Sequence, residues 1–202
     1  MRIAILGTGK VAHVLGGAWQ KAGHEVVLGA RAASAGDADF AVVSLQEALA
    51  AGDVVVNAIT GAATLGAITA LDTSALAGKT LLDAANAVTE SGDLVYPNSS
   101  LAERLQQALP DAHVVKSLNT AAIEVLADPS LVPGPATVFL SGDHDGAKNE
   151  VTELLRDLGW TDDGIIDLGG IQTARGPESY VHLFFAVIGV LKTPFFNIRI
   201  SR

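Results

Sequence analysis

The apolar run Ile3-Ala4-Ile5-Leu6, followed at once by Gly7-Thr8-Gly9-Lys10-Val11-Ala12, leaves few folds open to this chain. Four consecutive apolar residues read as a parallel strand buried on both faces. The glycines that break it fit the pattern G-x-G-x-x-G/A. Gly7 makes the tight turn, Gly9 lets backbone approach a pyrophosphate, and Ala12 is small where helix meets strand. Val11, Val14, Leu15, Ala18 and Ala22 then recur at helical spacing, and Gly23 ends the helix. Glu25-Val26-Val27-Leu28 supplies a second strand and closes a βαβ unit of about 30 residues, the setting in which this motif binds a dinucleotide. The helix N-terminus would present free N–H groups and a positive dipole end to the phosphates.

The end of the second strand sets the expected nucleotide. NAD sites carry an Asp or Glu there, bonded to the ribose 2′-hydroxyl. This chain has Leu28-Gly29-Ala30-Arg31 instead. No carboxylate would repel a 2′-phosphate, and Arg31 can pair with one through two hydrogen bonds and stack on adenine. Ser34 lies close enough in sequence to assist. NADP(H) is therefore the expected cofactor. Asp37 and Asp39 read as solvated turn residues.

Strand and helix patterns continue to alternate. Ala41–Val43, Asp53–Ile59, Thr80–Asp83, His113–Lys116, Val138–Leu140 and Ile165–Leu168 read as strands. Helices are expected over Leu45–Ala51, Ala63–Leu71, Leu101–Leu109 and Asn149–Leu158. The sequence thus predicts an α/β protein with a Rossmann-like, doubly wound, mainly parallel sheet. Residues 1–169 are expected to form the nucleotide-binding domain. Residues 170–202 form a C-terminal extension: one long apolar helix over Ile171–Leu191 and an apolar tail, packed on the domain or on a partner subunit.

Ligands of such sheets bind at the C-terminal ends of the strands. Ala58, Ile59 and Thr60 follow one strand and should line the cofactor. Asn86 and Ala87 follow the next, and Asn119 the one after. The two asparagines could orient the nicotinamide, its ribose or a bound ring; Asn is equally at home in turns and caps.

Other chemistries find little support. A net charge of −9 argues against nucleic acid and anionic membranes. The absence of cysteine removes disulfides, thiolate metal sites and Cys nucleophiles. No signal-peptide pattern precedes Arg2, and the apolar run Val181–Leu191 is too short to span a bilayer, so the expected compartment is the cytoplasm. Asp143-His144-Asp145 sits between glycines at a strand-to-helix turn, where Asp caps, and no ligand set for a metal accompanies it. His182 could face the site or a subunit interface. His13 and His24 carry no evident role. No acid/base pair stands out, so no catalytic side chain is assigned.

Taken together, four stretches resemble the family of NADPH-dependent coenzyme F420 reductases. They are the strand with Gly7-Thr8-Gly9, the run Gly23-His24-Glu25-Val26-Val27-Leu28-Gly29-Ala30-Arg31, the run Gly78–Asp83 with Asn86 behind it, and Val114-Val115-Lys116-Ser117-Leu118-Asn119-Thr120. The resemblance implies a small homodimer that passes a hydride between NADP(H) and the deazaflavin coenzyme F420 as co-substrate. It also implies that Thr8, Arg31 and Ser34 hold the 2′-phosphate side, with Asn86 and Asn119 near the ring-stacking cleft. Two positions depart from the pattern: Leu118 replaces an aromatic residue, and Ala87 stands where relatives often have Pro. Reduction of a flavin, quinone, ferric centre or imine, or a sensor role without chemistry, are the alternative readings.

Overall fold

The computed structural model describes residues 1–31 and 37–201. Among the described residues eight strands form one sheet: β1 (Arg2–Leu6), β2 (Glu25–Ala30), β3 (Ala41–Ser44), β4 (Val54–Asn57), β5 (Thr80–Asp83), β6 (His113–Lys116), β7 (Val138–Gly142) and β8 (Ile165–Asp167). Their order is β3-β2-β1-β4-β5-β6-β7-β8. β1 to β6 pair in parallel, with Leu6 opposite Gly29 on one side and Asn57 on the other. The order reverses between β1 and β4, which opens a crevice at the strand ends there.

The helices are α1 (Lys10–Lys21), α2 (Leu45–Ala51), α3 (Gly61–Thr69), α4 (Leu101–Ala108), α5 (Ile123–Ala127), α6 (Asp145–Asp157) and α7 (Arg175–Leu191). They cover both faces of the sheet, because alternate residues of a strand point to opposite sides. Ile3 and Ile5 pack with Leu15 and Trp19 of α1 and Leu154 of α6. Ala4 and Leu6 pack with Leu49 of α2, Ile68 of α3 and Leu105 of α4. Both buried indoles are satisfied: Trp19 donates to the Leu154 carbonyl at 3.1 Å and Trp160 to that of Leu126 at 2.9 Å.

The structure adds detail to the expected mainly parallel sheet and shifts several expected elements, and α6 begins at Asp145, earlier than the expected Asn149. β4 ends at Asn57 instead of Ile59, because the Asn57 side chain turns back and accepts the Ile59 N–H at 3.1 Å. α5 was not anticipated. β7 runs antiparallel to β6. The segment from Ile171 is a short 3-10 helix, Ile171–Ala174, that precedes α7 and is not part of one continuous helix. Pro177 falls in the first turn of α7, where no intrahelical partner awaits its missing N–H. The apolar tail docks at the start of β7: the Thr137 N–H donates to the Ile198 carbonyl at 3.1 Å, and Ile200 N–H to Thr137 Oγ1 at 3.2 Å. No helix among the described residues is long and apolar enough to cross a membrane.

Candidate functional site

The turn after β1 is built for close approach. Gly7 has φ +122°, a left-handed value that favours glycine, and a Cβ there would stand 2.8 Å from the Ala58 carbonyl oxygen. Its N–H donates to the Gly29 carbonyl at 2.8 Å, which ties the turn to β2. Gly9 is the N-cap of α1, and among the described residues no side chain caps that end or places an acid in its first turn. A Cβ added to Gly9 would meet nothing within 4 Å. The result is an open cradle of uncapped N–H groups at a positive helix end, a shape and charge that suit a pyrophosphate.

A cavity of about 500 Å³ begins at this cradle. Gly9, Lys10 and Val11 line it from the turn, Ala58, Ile59 and Thr60 from beyond β4, Asn86 from beyond β5, and Asn119 from beyond β6. α3 starts against the same floor: a Cβ on Gly61 would lie 2.1 Å from the Asn86 carbonyl oxygen, so only glycine lets the two loops meet.

The two asparagines are locked together. Asn86 Nδ2 donates to the Asn119 carbonyl at 2.8 Å, and Asn119 Nδ2 donates to Asn86 Oδ1 at 2.9 Å. These bonds fix both amide orientations and leave Asn119 Oδ1 buried without a partner among the described residues. An unmet buried acceptor costs roughly 1–3 kcal/mol, a cost that an N–H donor on a ligand would relieve. The carboxamide of a nicotinamide carries such a donor. Cradle and amides together fit a pyridine dinucleotide.

Comparison with known proteins agrees with this geometry. Residues 2–87 match the family model described as NADP oxidoreductase, coenzyme F420-dependent. A candidate F420-dependent NADP-reductase from Arthrobacter sp. FB24 is 38% identical over 100% of both chains, with a TM-score of 0.93. The chain belongs to the F420-dependent NADP oxidoreductase family. It is an NADP-linked oxidoreductase with a Rossmann-like fold. A hypothetical protein from Sinorhizobium meliloti is 26% identical, with a TM-score of 0.70 over 85% of this chain and 86% of its own. A reductive aminase from Aspergillus terreus, solved with NADPH4, cyclohexanone and allyl amine, is 19% identical. It shares the fold, with a TM-score of 0.68 over 95% of this chain and 62% of its own.

In this oxidoreductase Gly7, Thr8, Ala12, Ala30, Arg31 and Ala87, also expected at the site, are not on the cavity wall. Thr8 is exposed on the turn, and Ala12 is buried where α1 meets the sheet. Ala30 and an exposed Arg31 stand at the end of β2. Ala87 is buried in the core layer that holds α2 and α4. Ser34 lies outside the described residues.

Several lining residues lie outside the expected set, Gly61, Ala121, Ile123, Leu126 and Phe184 among them. Phe184 reaches the cavity from α7, and in sequence it is one apolar residue within an apolar helix. Leu118 has φ +54°, a left-handed value that a Leu side chain resists, and it sits between β6 and Asn119. Such strain collects at functional sites.

Below the cavity lies a buried ionic cluster that strand-end reasoning did not reveal. Lys116 Nζ meets Asp83 Oδ2 at 2.9 Å and Glu178 Oε1 at 3.1 Å, and it also donates to the Ala85 carbonyl. Glu178, from α7, accepts the N–H groups of Leu101 and Ala102 at 2.8 and 3.2 Å, at the start of α4. Burial would strip the Lys116 proton, but Asp83 and Glu178 overcome it and raise its pKa. Burial pushes the Glu178 carboxyl up, against the pull of Lys116. One cation thus joins β5, β6, α4 and α7 and holds the backbone that leads into Asn86.

Three further expectations change. Asp37 is not a solvated turn residue: its carboxylate accepts from His13 Nε2 at 2.6 Å and from the N–H groups of Asp39 and Phe40. Nor are His13 and His24 idle, for His24 Nε2 bonds Asp157 at 2.8 Å. Asp143 accepts the Ile171 N–H at 2.9 Å, which starts the 3-10 helix, whereas His144 stacks on His113 at 3.8 Å. His182 is exposed on α7.

Proposed function

We propose that the chain transfers a hydride between NADP(H) and the deazaflavin ring of coenzyme F420, its co-substrate, in this cavity. One observation carries the reading: among the described residues Lys10 is the only ionisable side chain on the wall, and it is paired with Glu124 at 2.5 Å. Hydride exchange between two conjugated rings calls for alignment, and the ring nitrogen can trade its proton with water. When bound, NADP(H) supplies or accepts the hydride at nicotinamide C4. The cradle at α1 holds the pyrophosphate, Arg31 pairs with the 2′-phosphate, Asn86 and Asn119 orient the carboxamide, and Ile59, Leu118 and Phe184 give the rings an apolar wall to lie against. The test is to mix the protein with NADPH and F420 and follow the deazaflavin absorbance, with NADH alongside. Rapid bleaching with NADPH is expected. Tight NADPH binding without bleaching would move the activity to another acceptor, or to none.

A second reading rests on Tyr180. Its hydroxyl is buried without a partner among the described residues, in an apolar hollow that also holds Thr120, the neighbour of Asn119. Burial raises its pKa, so it keeps a proton to give to a reduced imine or carbonyl. Turnover of a cyclic imine, lost in Tyr180→Phe, would favour this reading over the deazaflavin.

Leu183, Phe185 and Val190 of α7 are exposed. Exposed apolar side chains on α7 support a homodimer, which sedimentation of the protein would test.

A further inference from the structure

His13 of α1 bridges two parts of the nucleotide site. Its Nδ1 lies 3.1 Å from the Gly9 carbonyl oxygen, and its Nε2 lies 2.6 Å from Asp37 Oδ2. A carbonyl and a carboxylate only accept, so both ring nitrogens must donate, and only the imidazolium does so. The same Asp37 carboxylate caps the turn into Phe40, with Oδ1 at 3.0 Å from the Asp39 N–H and 3.2 Å from that of Phe40. Phe40 in turn meets the His13 ring edge-on at 5.4 Å and packs over Gly16 of α1. In sequence, Arg31 and Asp37 flank residues 32–36.

We propose that His13, doubly protonated, is a positioning residue for the 2′-phosphate end of NADP(H), and that its proton makes NADP(H) affinity pH-dependent. The proposal rests on the reading that Arg31 meets the 2′-phosphate. The imidazolium joins the glycine turn, which faces the pyrophosphate, to Asp37 at the start of the turn into Phe40. It also neutralises Asp37. When the ring loses its proton, one of its two bonds must fail, and the Asp37 carboxylate, tied through His13 to the glycine turn that carries Thr8, is left uncompensated against a 2′-phosphate held by Thr8 and Arg31. NADH lacks that group and feels the repulsion far less.

The surrounding charges favour the protonated ring. Asp37 and Asp39 face it from the segment before β3. Lys21 lies across the same hollow on α1. Lys10, one turn earlier, is engaged by Glu124 of α5. The Gly9 carbonyl, then Asp37, raise the His13 pKa. The Asp39 N–H, then His13, hold Asp37 low. A raised His pKa means the link is complete at acidic pH and is lost as pH rises through that value.

Dissociation constants of NADPH and NADH, measured by fluorescence from about pH 5.5 to about 9, test this in the wild type and His13→Gln. His13 is on an exposed helix surface and Gln is a good helix former, so the variant will fold. NADPH binding should weaken about tenfold at the acidic end, with the two proteins converging at the alkaline end, while NADH barely changes. The phosphate's own ionisation is common to both proteins and cancels in their ratio. Nitrogen NMR should show both His13 ring nitrogens protonated above the ordinary histidine value of 6.5, and Asp37→Asn should lower that titration point. A ratio that is constant with pH, an equal loss for both nucleotides, or an unmoved titration in Asp37→Asn overturns the proposal. A wild type that does not prefer NADPH overturns the nucleotide reading with it; a preference with a flat ratio overturns the His13 role alone.

Discussion

Asn86 and Asn119 hold each other across two neighbouring strand ends, each donating one hydrogen bond to the other residue at 2.8 and 2.9 Å. Neither amide can rotate without breaking that link. Asn119→Ala should therefore lower kcat/KM for NADPH by about tenfold or more. Asn119→Asp should do no better, because a carboxylate cannot donate to Asn86 Oδ1. Steady-state kinetics that match the wild type in both variants would remove the pair from the site.

Arg31→Ala should raise KM for NADPH by about ten- to a hundredfold and leave NADH nearly unchanged, since a guanidinium–phosphate pair exists with only one of them. Equal effects on both nucleotides would sink the assignment.

Glycines 9 and 61 should fail in different ways. Gly61→Ala forces a Cβ against the Asn86 carbonyl, where only 2.1 Å is available. It should destabilise the fold by about 1–3 kcal/mol or more and depress turnover, because backbone has to move. Gly9→Ala points into open space, so its melting temperature should stay close to the wild type while NADPH binding weakens. Calorimetry and nucleotide titration on both proteins separate the two outcomes.

Lys116→Met should cost about 3–5 kcal/mol in urea unfolding, because it leaves Asp83 and Glu178 buried beside each other without a cation. Glu178→Gln keeps an acceptor for the start of α4 and should cost less. A loss below about 1 kcal/mol for Lys116→Met would mean that the cluster contributes little.

Much of the fold is legible in the residues because the central strands are buried on both faces. Thr80–Asp83 and His113–Lys116 are runs with one possible reading, and both strands form as expected. Errors arise where a polar side chain imitates backbone or a segment is too short to show a period. Asn57 ends β4 through its own side chain, inside a run that otherwise reads as strand. Ile123–Ala127 spans little more than one turn, too few residues for a helical period. The reversal of β7 follows from tertiary packing, since the residues after Asn119 make α5 and do not form a crossover helix of ordinary length.

The candidate site divides the same way. The glycine turn and the strand ends are local, so Gly9, Lys10, Ile59, Asn86 and Asn119 could be placed in one crevice from order alone. Phe184 and Glu178 reach the site from the far end of the chain, and nothing near them in sequence marks either one. His13 and Asp37 looked ordinary for a similar reason: their chemistry appears only when α1 and the turn before β3 are set side by side.

Trp160 gives this protein a built-in optical reporter. Its indole donates to the Leu126 carbonyl, and Leu126 lies on the cavity wall. A nucleotide that settles against that wall changes the surroundings of a buried fluorophore one hydrogen bond away. Occupancy can thus be followed by emission from the unlabelled protein, before any hydride acceptor has been chosen.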